Sequence, residues 1–381
     1  METYDLAVIG VGGMGSAIVA HAAMHRLKVL GFEQFSIPNT RGSSHGATRI
    51  LRLGLHEGPT YVPLVLRAVE LWRELEERIR SPIFYNCGGL DIALPDSKIF
   101  KGSKAACEKF GIKHEVLDAK ETRRRFPAIQ PTKEMLAVFQ PGSGFVLPEL
   151  AVTAHVNCAL EAGAEIHGHE KLIHWERRMG RYFIRTDRSA YEVTQIIFSA
   201  GAWIGKILAE QKIPVVPERT VLGWFSPKAN FSNFKPDQLP IWIVDDPEVG
   251  HFYGFPMFGI PGFKLGRLRE IPSPAVDPDL PRREPDFEDE ADMRNFVKKI
   301  FPNADGQILS METCFFENSP DRAPIIDKVP GENGAWICGG FSGHGFKFCS
   351  AVGELMTDLV TKGASRFDLS PFRLSRFAAT K

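Results

Sequence analysis

The residues with the clearest chemical meaning stand near the start of the chain, in Gly10-Val11-Gly12-Gly13-Met14-Gly15. An apolar run of β type, Leu6 to Ile9, leads into them, and a helix-like segment follows. Gly10 lets the chain leave a strand in a tight turn, Gly12 offers bare backbone to a pyrophosphate, and Gly15 permits close packing of helix on strand. A helix starting here points unpaired N–H groups and a positive dipole end at phosphates. A second apolar run, Val29 to Phe32, ends at Glu33, about 20 residues on, where a carboxylate can bond a ribose hydroxyl. The combination predicts a dinucleotide site. An ordinary glycine-rich turn is the alternative.

Other reactive types are scattered. Asn39 to Arg52 is polar and glycine-containing, with His45, Arg49 and Arg52 close together. It reads either as a solvated loop or as a loop lying on a cofactor. Six cysteines (Cys87, Cys107, Cys158, Cys314, Cys338 and Cys349) show no C-x-x-C spacing, which argues against zinc and against a disulfide framework and leaves burial as the ordinary role. Lys and Arg (46) balance Asp and Glu (46), so no basic surface invites nucleic acid or anionic lipid. No run approaches a membrane span of about 20 apolar residues. The opening residues lack a cationic head, and Ala379-Thr380-Lys381 is no peroxisomal address, so a cytoplasmic location is expected.

The elements that must position these groups follow from periodicity. Tyr61 to Ile79 has apolar residues at helical spacing with Glu and Arg between them. Phe84 to Leu94 reads as strands, and Lys101 to Phe110 and Leu147 to Ala162 as helices. Ala164 to His167 reads as a strand, and Ile196 to Trp203 as a buried strand stopping at a small-residue turn. Phe225 to Leu265 suggests antiparallel sheet, Pro272 to Asp289 a surface loop, Ala291 to Phe301 a helix, and Ala335 to Cys338 a late strand before a last helix. This order predicts an α/β protein in which a Rossmann-type nucleotide domain (1–82, 146–215 and 318–381) is interleaved with an antiparallel-sheet substrate domain (83–145 and 216–317).

The chain resembles the monomeric sarcosine oxidase and N-methyltryptophan oxidase family, within the flavin amine oxidases that include pipecolate oxidases and amadoriases. The likeness covers nearly the whole length. Its carriers are Gly10–Gly15, Gly42-Ser43-Ser44-His45-Gly46-Ala47-Thr48-Arg49 with Arg52, Glu57 to Leu64, Phe252 to Pro256, Phe263-Lys264-Leu265-Gly266, Cys314, and Gly340 to Phe348. The resemblance implies FAD, bound by Gly10, Gly12, Gly15, Glu33, Ser43, Gly343 and Lys347, and tethered by a thioether to Cys314. It implies that Lys264 activates oxygen, since a positive charge favours electron transfer that forms superoxide. Arg49 and His45 match residues beside the flavin ring. Arg52 and Lys347 match a clamp on the substrate carboxylate, a planar guanidinium fork plus an ammonium. With nothing else between them, two buried cations call for an anion.

Tyr253 remains as an aromatic wall, but three positions depart from the family. Leu268 replaces an active-site histidine, Phe316 a tyrosine, and Leu55 a tyrosine near the substrate. Each swap adds apolar surface, which turns the expectation away from sarcosine toward a larger or more apolar amine. The reading is a monomeric oxidase of a secondary amino acid, taking a small amino-acid substrate and O₂. The products are an imine that water hydrolyses and hydrogen peroxide. The rivals are a flavin dehydrogenase or primary-amine oxidase of the same fold, and a non-catalytic FAD-binding assembly protein.

Overall fold

The computed structural model describes residues 3–269 and 274–377. Strand Thr3–Ile9 is buried from Leu6 to Ile9 on both faces, as the centre of a parallel sheet requires. It pairs in parallel with Val29–Phe32 on one side and Ala190–Phe198 on the other. Glu165–His167 continues the parallel set beyond Val29–Phe32. Ala335–Gly339 pairs in parallel with the end of Ala190–Phe198. Antiparallel strands Leu172–Arg178, Arg181–Thr186 and Ile325–Lys328 complete eight. Parallel neighbours need crossovers. Helix Gly13–Met24 makes one of them and packs against both Pro148–Glu161 and Cys349–Lys362.

Helix Tyr61–Ile79 has the limits its periodicity predicts. Tyr61, Leu64, Val65, Ala68, Leu71, Trp72 and Leu75 are buried at three- and four-residue steps, while Glu70, Arg73, Glu74 and Glu77 are exposed. Two other helices start earlier than their apolar spacing suggests, because capping residues set the start. Lys98–Phe110 begins at Ser97, whose Oγ accepts from the Ile99 amide at 3.1 Å. Phe287–Ile300 begins at a capping box between Asp286 and Asp289. Of the loop expected over 272–289, residues 272 and 273 lie outside the described residues, as do 379–381. From 274 it runs without helix to Asp286, with one bridge from Ala275 to Glu218.

The second sheet has eight strands in the order Ile308–Asn318, Val216–Phe225, Phe263–Leu268, Gly250–Phe255, Ile241–Asp246, Gly89–Ala93, Leu136–Gln140 and Glu115–Asp118. All neighbours are antiparallel except Ile241–Asp246 with Gly89–Ala93, the parallel seam where two distant stretches of chain meet. Helix Phe287–Ile300 covers one face. There Trp242 stacks on Phe263 and Phe296 and touches Phe301, with ring centroids 4.5–5.7 Å apart. Truncating such a buried ring costs about 3–5 kcal/mol. A third sheet, Arg49–Leu51 with Gly144–Val146 and Phe84–Tyr85, anchors the end of the polar loop and holds Arg49 in place. All six cysteines are free, and all but Cys87 are buried. Among the described residues no helix is long and apolar enough to cross a membrane.

Candidate active site

A cavity of about 360 Å³ lies where Thr3–Ile9 and Val29–Phe32 end, lined by Gly10, Gly12, Gly13, Glu33, Ser43, Ser44 and the Ser199–Trp203 turn. Gly10 has φ +92°, and a Cβ there would stand 2.7 Å from the Ala200 Cα. Gly15 does not line the cavity. Its Cβ would stand 1.8 Å from the Gly10 carbonyl oxygen, so its bare backbone lets the helix start seat against the turn. The Gly13 amide donates to Ser44 Oγ at 3.0 Å. Glu33 accepts from the Val11 and Phe35 amides, both at 3.1 Å, and burial outweighs those bonds to raise its pKa.

A second cavity, about 350 Å³, adjoins the first, and Gly13, Met14, Ser43, Ser44 and Glu317 line both. The two therefore meet along one shared wall. Bare glycine backbone, a helix start and a rim carboxylate make the first end fit FAD. Ser43 ties the polar loop to strand Ile308–Asn318, its Oγ donating to the Phe315 carbonyl at 2.7 Å and lying 3.2 Å from Glu317. Burial pushes the Glu317 carboxyl up to about 7.

Cys314 sits on that strand, buried, with Arg49 Nη2 3.8 Å from its sulfur. Arg49 is fixed by bonds to the Ser43 and Thr48 carbonyls at 2.8 and 2.9 Å. Burial by itself raises the Cys314 thiol, but His45, Arg49 and Arg282 outweigh it and hold the thiol below its ordinary value. His45 shows the mirror image. Burial opposes its protonation, while Cys314 and Glu312 win and raise its pKa. Among the described residues neither of its ring nitrogens has a hydrogen-bond partner, and Nδ1 is 3.6 Å from Glu312. A lowered thiol beside a raised imidazole is the environment of a nucleophilic cysteine.

Lys264 is buried, and its Nζ donates to the Gly46 carbonyl at 2.6 Å, the Thr48 carbonyl at 2.9 Å and Thr48 Oγ1 at 3.1 Å. It lies 4.5 Å from the Phe255 ring. Burial first, and then Arg49, push its pKa well below the usual lysine range. Neither Lys264 nor His45 lines either of these two cavities. Both lie within electrostatic reach of Arg49 and Cys314, which line the second.

Arg52, Lys347, Tyr253, Leu268, Phe316 and Gly343 all line the second cavity. The expectation that nothing separates the two cations is corrected by Glu57. Arg52 donates to Glu57 at 2.8 Å, to Asp91 at 3.3 Å and to His56 Nδ1 at 3.0 Å. Burial by itself raises Glu57, but Arg52, His56 and Lys347 hold it well below the carboxylate range. Lys347 donates to the His344 carbonyl. Burial, with Arg52, brings Lys347 down to about 8 against the pull of Glu57. Burial pushes the Tyr253 hydroxyl up. Leu55 is corrected too. It is 1% exposed, part of the core under helix Tyr61–Ile79, and does not line the cavity. An apolar side chain there gains more by joining that core than by facing a charged clamp.

Asp91, Glu312, Arg282, Glu317 and His251 escaped the reading of the sequence. Asp91 had a signal: it is a lone acid inside the apolar run Gly89-Leu90-Asp91-Ile92-Ala93, and it is bonded to Ser103 at 2.6 Å and Gln140 at 3.1 Å. Among the described residues no group of His, Cys, Asp and Glu could hold a metal.

The sequence matches the FAD dependent oxidoreductase family over residues 5–359. It is 36% identical to the monomeric sarcosine oxidase of Streptomyces avermitilis, over 99% of this chain and 98% of that one. It is 33% identical to the N-methyl-L-tryptophan oxidase of Salmonella dublin, over 98% and 99%. Among solved structures, L-proline dehydrogenase from P. horikoshii shares the fold with a TM-score of 0.86 at 24% identity, over 99% of this chain and 98% of that one. NikD, an amino acid oxidase of nikkomycin biosynthesis, shares it with a TM-score of 0.85 at 20% identity, over 98% of each chain.

Proposed function

The chain belongs to the FAD dependent oxidoreductase family, and from that premise we propose that it oxidises the C–N bond of a secondary amino acid. One observation carries this reading. The cavity that continues the dinucleotide trough brings Arg49 and Cys314 together with Arg52, Lys347 and Tyr253. When bound, the flavin supplies the acceptor for hydride from the carbon next to nitrogen and the route by which electrons reach O₂ as hydrogen peroxide. The protein's own residues do the rest. Gly10, Gly12, Gly13 and Ser43 would hold the nucleotide, with Glu33 on the ribose.

Cys314, with its lowered thiol pKa, would form the covalent tether, and Arg49 would place positive charge against the ring. Arg52 and Lys347 would hold the substrate carboxylate and so set the reacting carbon at the ring. Lys264 Nζ faces three oxygen acceptors, the full set an ammonium can serve, and in that protonated form it would act on oxygen through its field. Leu268 and Phe316 would favour apolar bulk on the amine, which disfavours sarcosine. The amine must be neutral to react, because a protonated nitrogen has no lone pair to stabilise the developing cation. We propose a monomer working in the cytoplasm.

A screen of N-methyl amino acids, cyclic imino acids and sarcosine for peroxide tests the activity. Amino acids are expected to outperform their decarboxylated amines, and equal turnover of both contradicts the clamp. Acid precipitation tests the tether. Yellow colour is expected in the pellet of the native protein and in the supernatant for Cys314→Ala. Colour released from the native protein contradicts it.

A further inference from the structure

Glu317 is the only acid among the residues that line both cavities. Neither hydride transfer nor the carboxylate clamp uses it. It stands near the end of strand Ile308–Asn318, three residues past Cys314. Three steps of extended chain span about 10 Å. They lead from Cys314, which lines the second cavity alone, to the wall that the two cavities share. The backbone there is fixed by pairing with Pro217 and by the Ser342 amide, which donates to the Glu317 carbonyl at 3.1 Å.

The carboxyl itself is short of donors. Ser43 Oγ has one proton, and the 2.7 Å bond to the Phe315 carbonyl has first claim on it. The 3.2 Å contact with Glu317 Oε2 is therefore a weak one. Among the described residues no cation forms an ion pair with Glu317. Burial raises its pKa to about 7 against the pull of Ser43 and of the Glu317 and Phe341 amides. A carboxyl taken out of water with so few donors is unfavourable unless a bound group brings them.

The parts of FAD differ in what they can bring. The pyrophosphate belongs with Gly10 and Gly12 in the first cavity, and as an anion it repels a carboxylate. The ring belongs with Cys314 and Arg49 in the second. Between them runs the ribityl chain, whose hydroxyls are donors. We propose that Glu317 accepts hydrogen bonds from the ribityl hydroxyls of the flavin and so sets where the ring comes to rest against Cys314. The inference rests on the reading of these two cavities as the flavin site.

The test is flavin exchange on the yellow Cys314→Ala holoprotein, where no tether holds the cofactor. FAD competes with analogues that lack the 2′, 3′ or 4′ hydroxyl of the ribityl chain, and the bound flavins are separated and counted. FAD is expected to displace at least one analogue by tenfold or more, which is about 1.4 kcal/mol. That preference is expected to fall to about one in Glu317→Leu and to survive largely in Glu317→Gln, which keeps an acceptor oxygen. The native chain, synthesised in vitro in an equal mixture of FAD and that analogue, is expected to show the same excess of FAD in its acid pellet. Equal occupancy by FAD and every analogue, or a preference unchanged in Glu317→Leu, overturns the inference while the flavin site stands. If the native protein releases its flavin in acid but the preference still depends on Glu317, the tether alone fails and the inference holds. If neither protein retains any flavin, the reading of the cavities fails and takes the inference with it.

Discussion

The two cavities that meet at Ser43 and Glu317 are made of different material. The nucleotide end is backbone: glycines, a helix start, and one carboxylate pinned by two amides. The substrate end is side chain: an arginine held by two acids and an imidazole, a lysine on a carbonyl, and a thiol facing cations. Backbone sites depend on space and are broken by volume. Side-chain sites depend on charge balance and are broken by removing one partner. The two ends should therefore fail in different ways.

The largest effect is expected from volume at the nucleotide end. Gly15→Ala puts a methyl 1.8 Å from the Gly10 carbonyl oxygen, a backbone atom that cannot yield without moving the turn. We expect protein without flavin and a large loss of thermal stability. Gly12→Ala meets nothing nearer than Ser44 Oγ at 3.6 Å and should fold. Equal unfolding temperatures for the two variants would break the distinction.

At the substrate end, Lys264→Met should slow re-oxidation by O₂ by about 10²–10³-fold, as loss of a preorganised charge does. Anaerobic reduction by amine should change far less. Stopped-flow traces of the two half-reactions check this, and equal losses would mean that Lys264 serves only to pack the Gly46–Thr48 turn.

Arg52→Ala should do two things that can be separated. It leaves Asp91 buried without its cation, which costs about 3–5 kcal/mol in urea unfolding. It also weakens carboxylate binding. Adding Asp91→Asn should restore part of the stability and none of the affinity. Recovery of both would make Arg52 a structural residue alone.

How far each end was legible follows from the same contrast. Gly10, Gly12, Gly15 and Glu33 are local in sequence, and local spacing predicts their geometry. Helix Tyr61–Ile79 was equally readable, because one amphipathic stretch determines it. The substrate end gathers Arg52, Asp91, His251, Cys314 and Lys347 from five separate stretches, and no spacing within one segment shows that they meet. The family resemblance supplied most of those residues, but not their partners. Glu57 bound to Arg52 within the field of Lys347, and Leu55 turned into the core, are packing outcomes that only the three-dimensional arrangement reveals.

The smallest effect expected is a pH dependence. Lys347 is brought down to about 8 in the unliganded protein, and a bound carboxylate favours its protonated form. Affinity for a carboxylate inhibitor should be flat below pH 8 and fall above it, approaching about tenfold per unit until the pKa of the complex is passed. Lys347→Arg should remove the decline. An affinity that rises with pH would place the positive charge elsewhere.

Everything above turns on hydride passing from a secondary amino acid to flavin. Its most direct test is the absorption spectrum of the purified yellow protein, mixed without oxygen with an N-alkyl amino acid and then exposed to air. The yellow colour is expected to bleach and to return on aeration with one hydrogen peroxide formed per flavin. A spectrum left unchanged by saturating secondary amino acids of every size would contradict it.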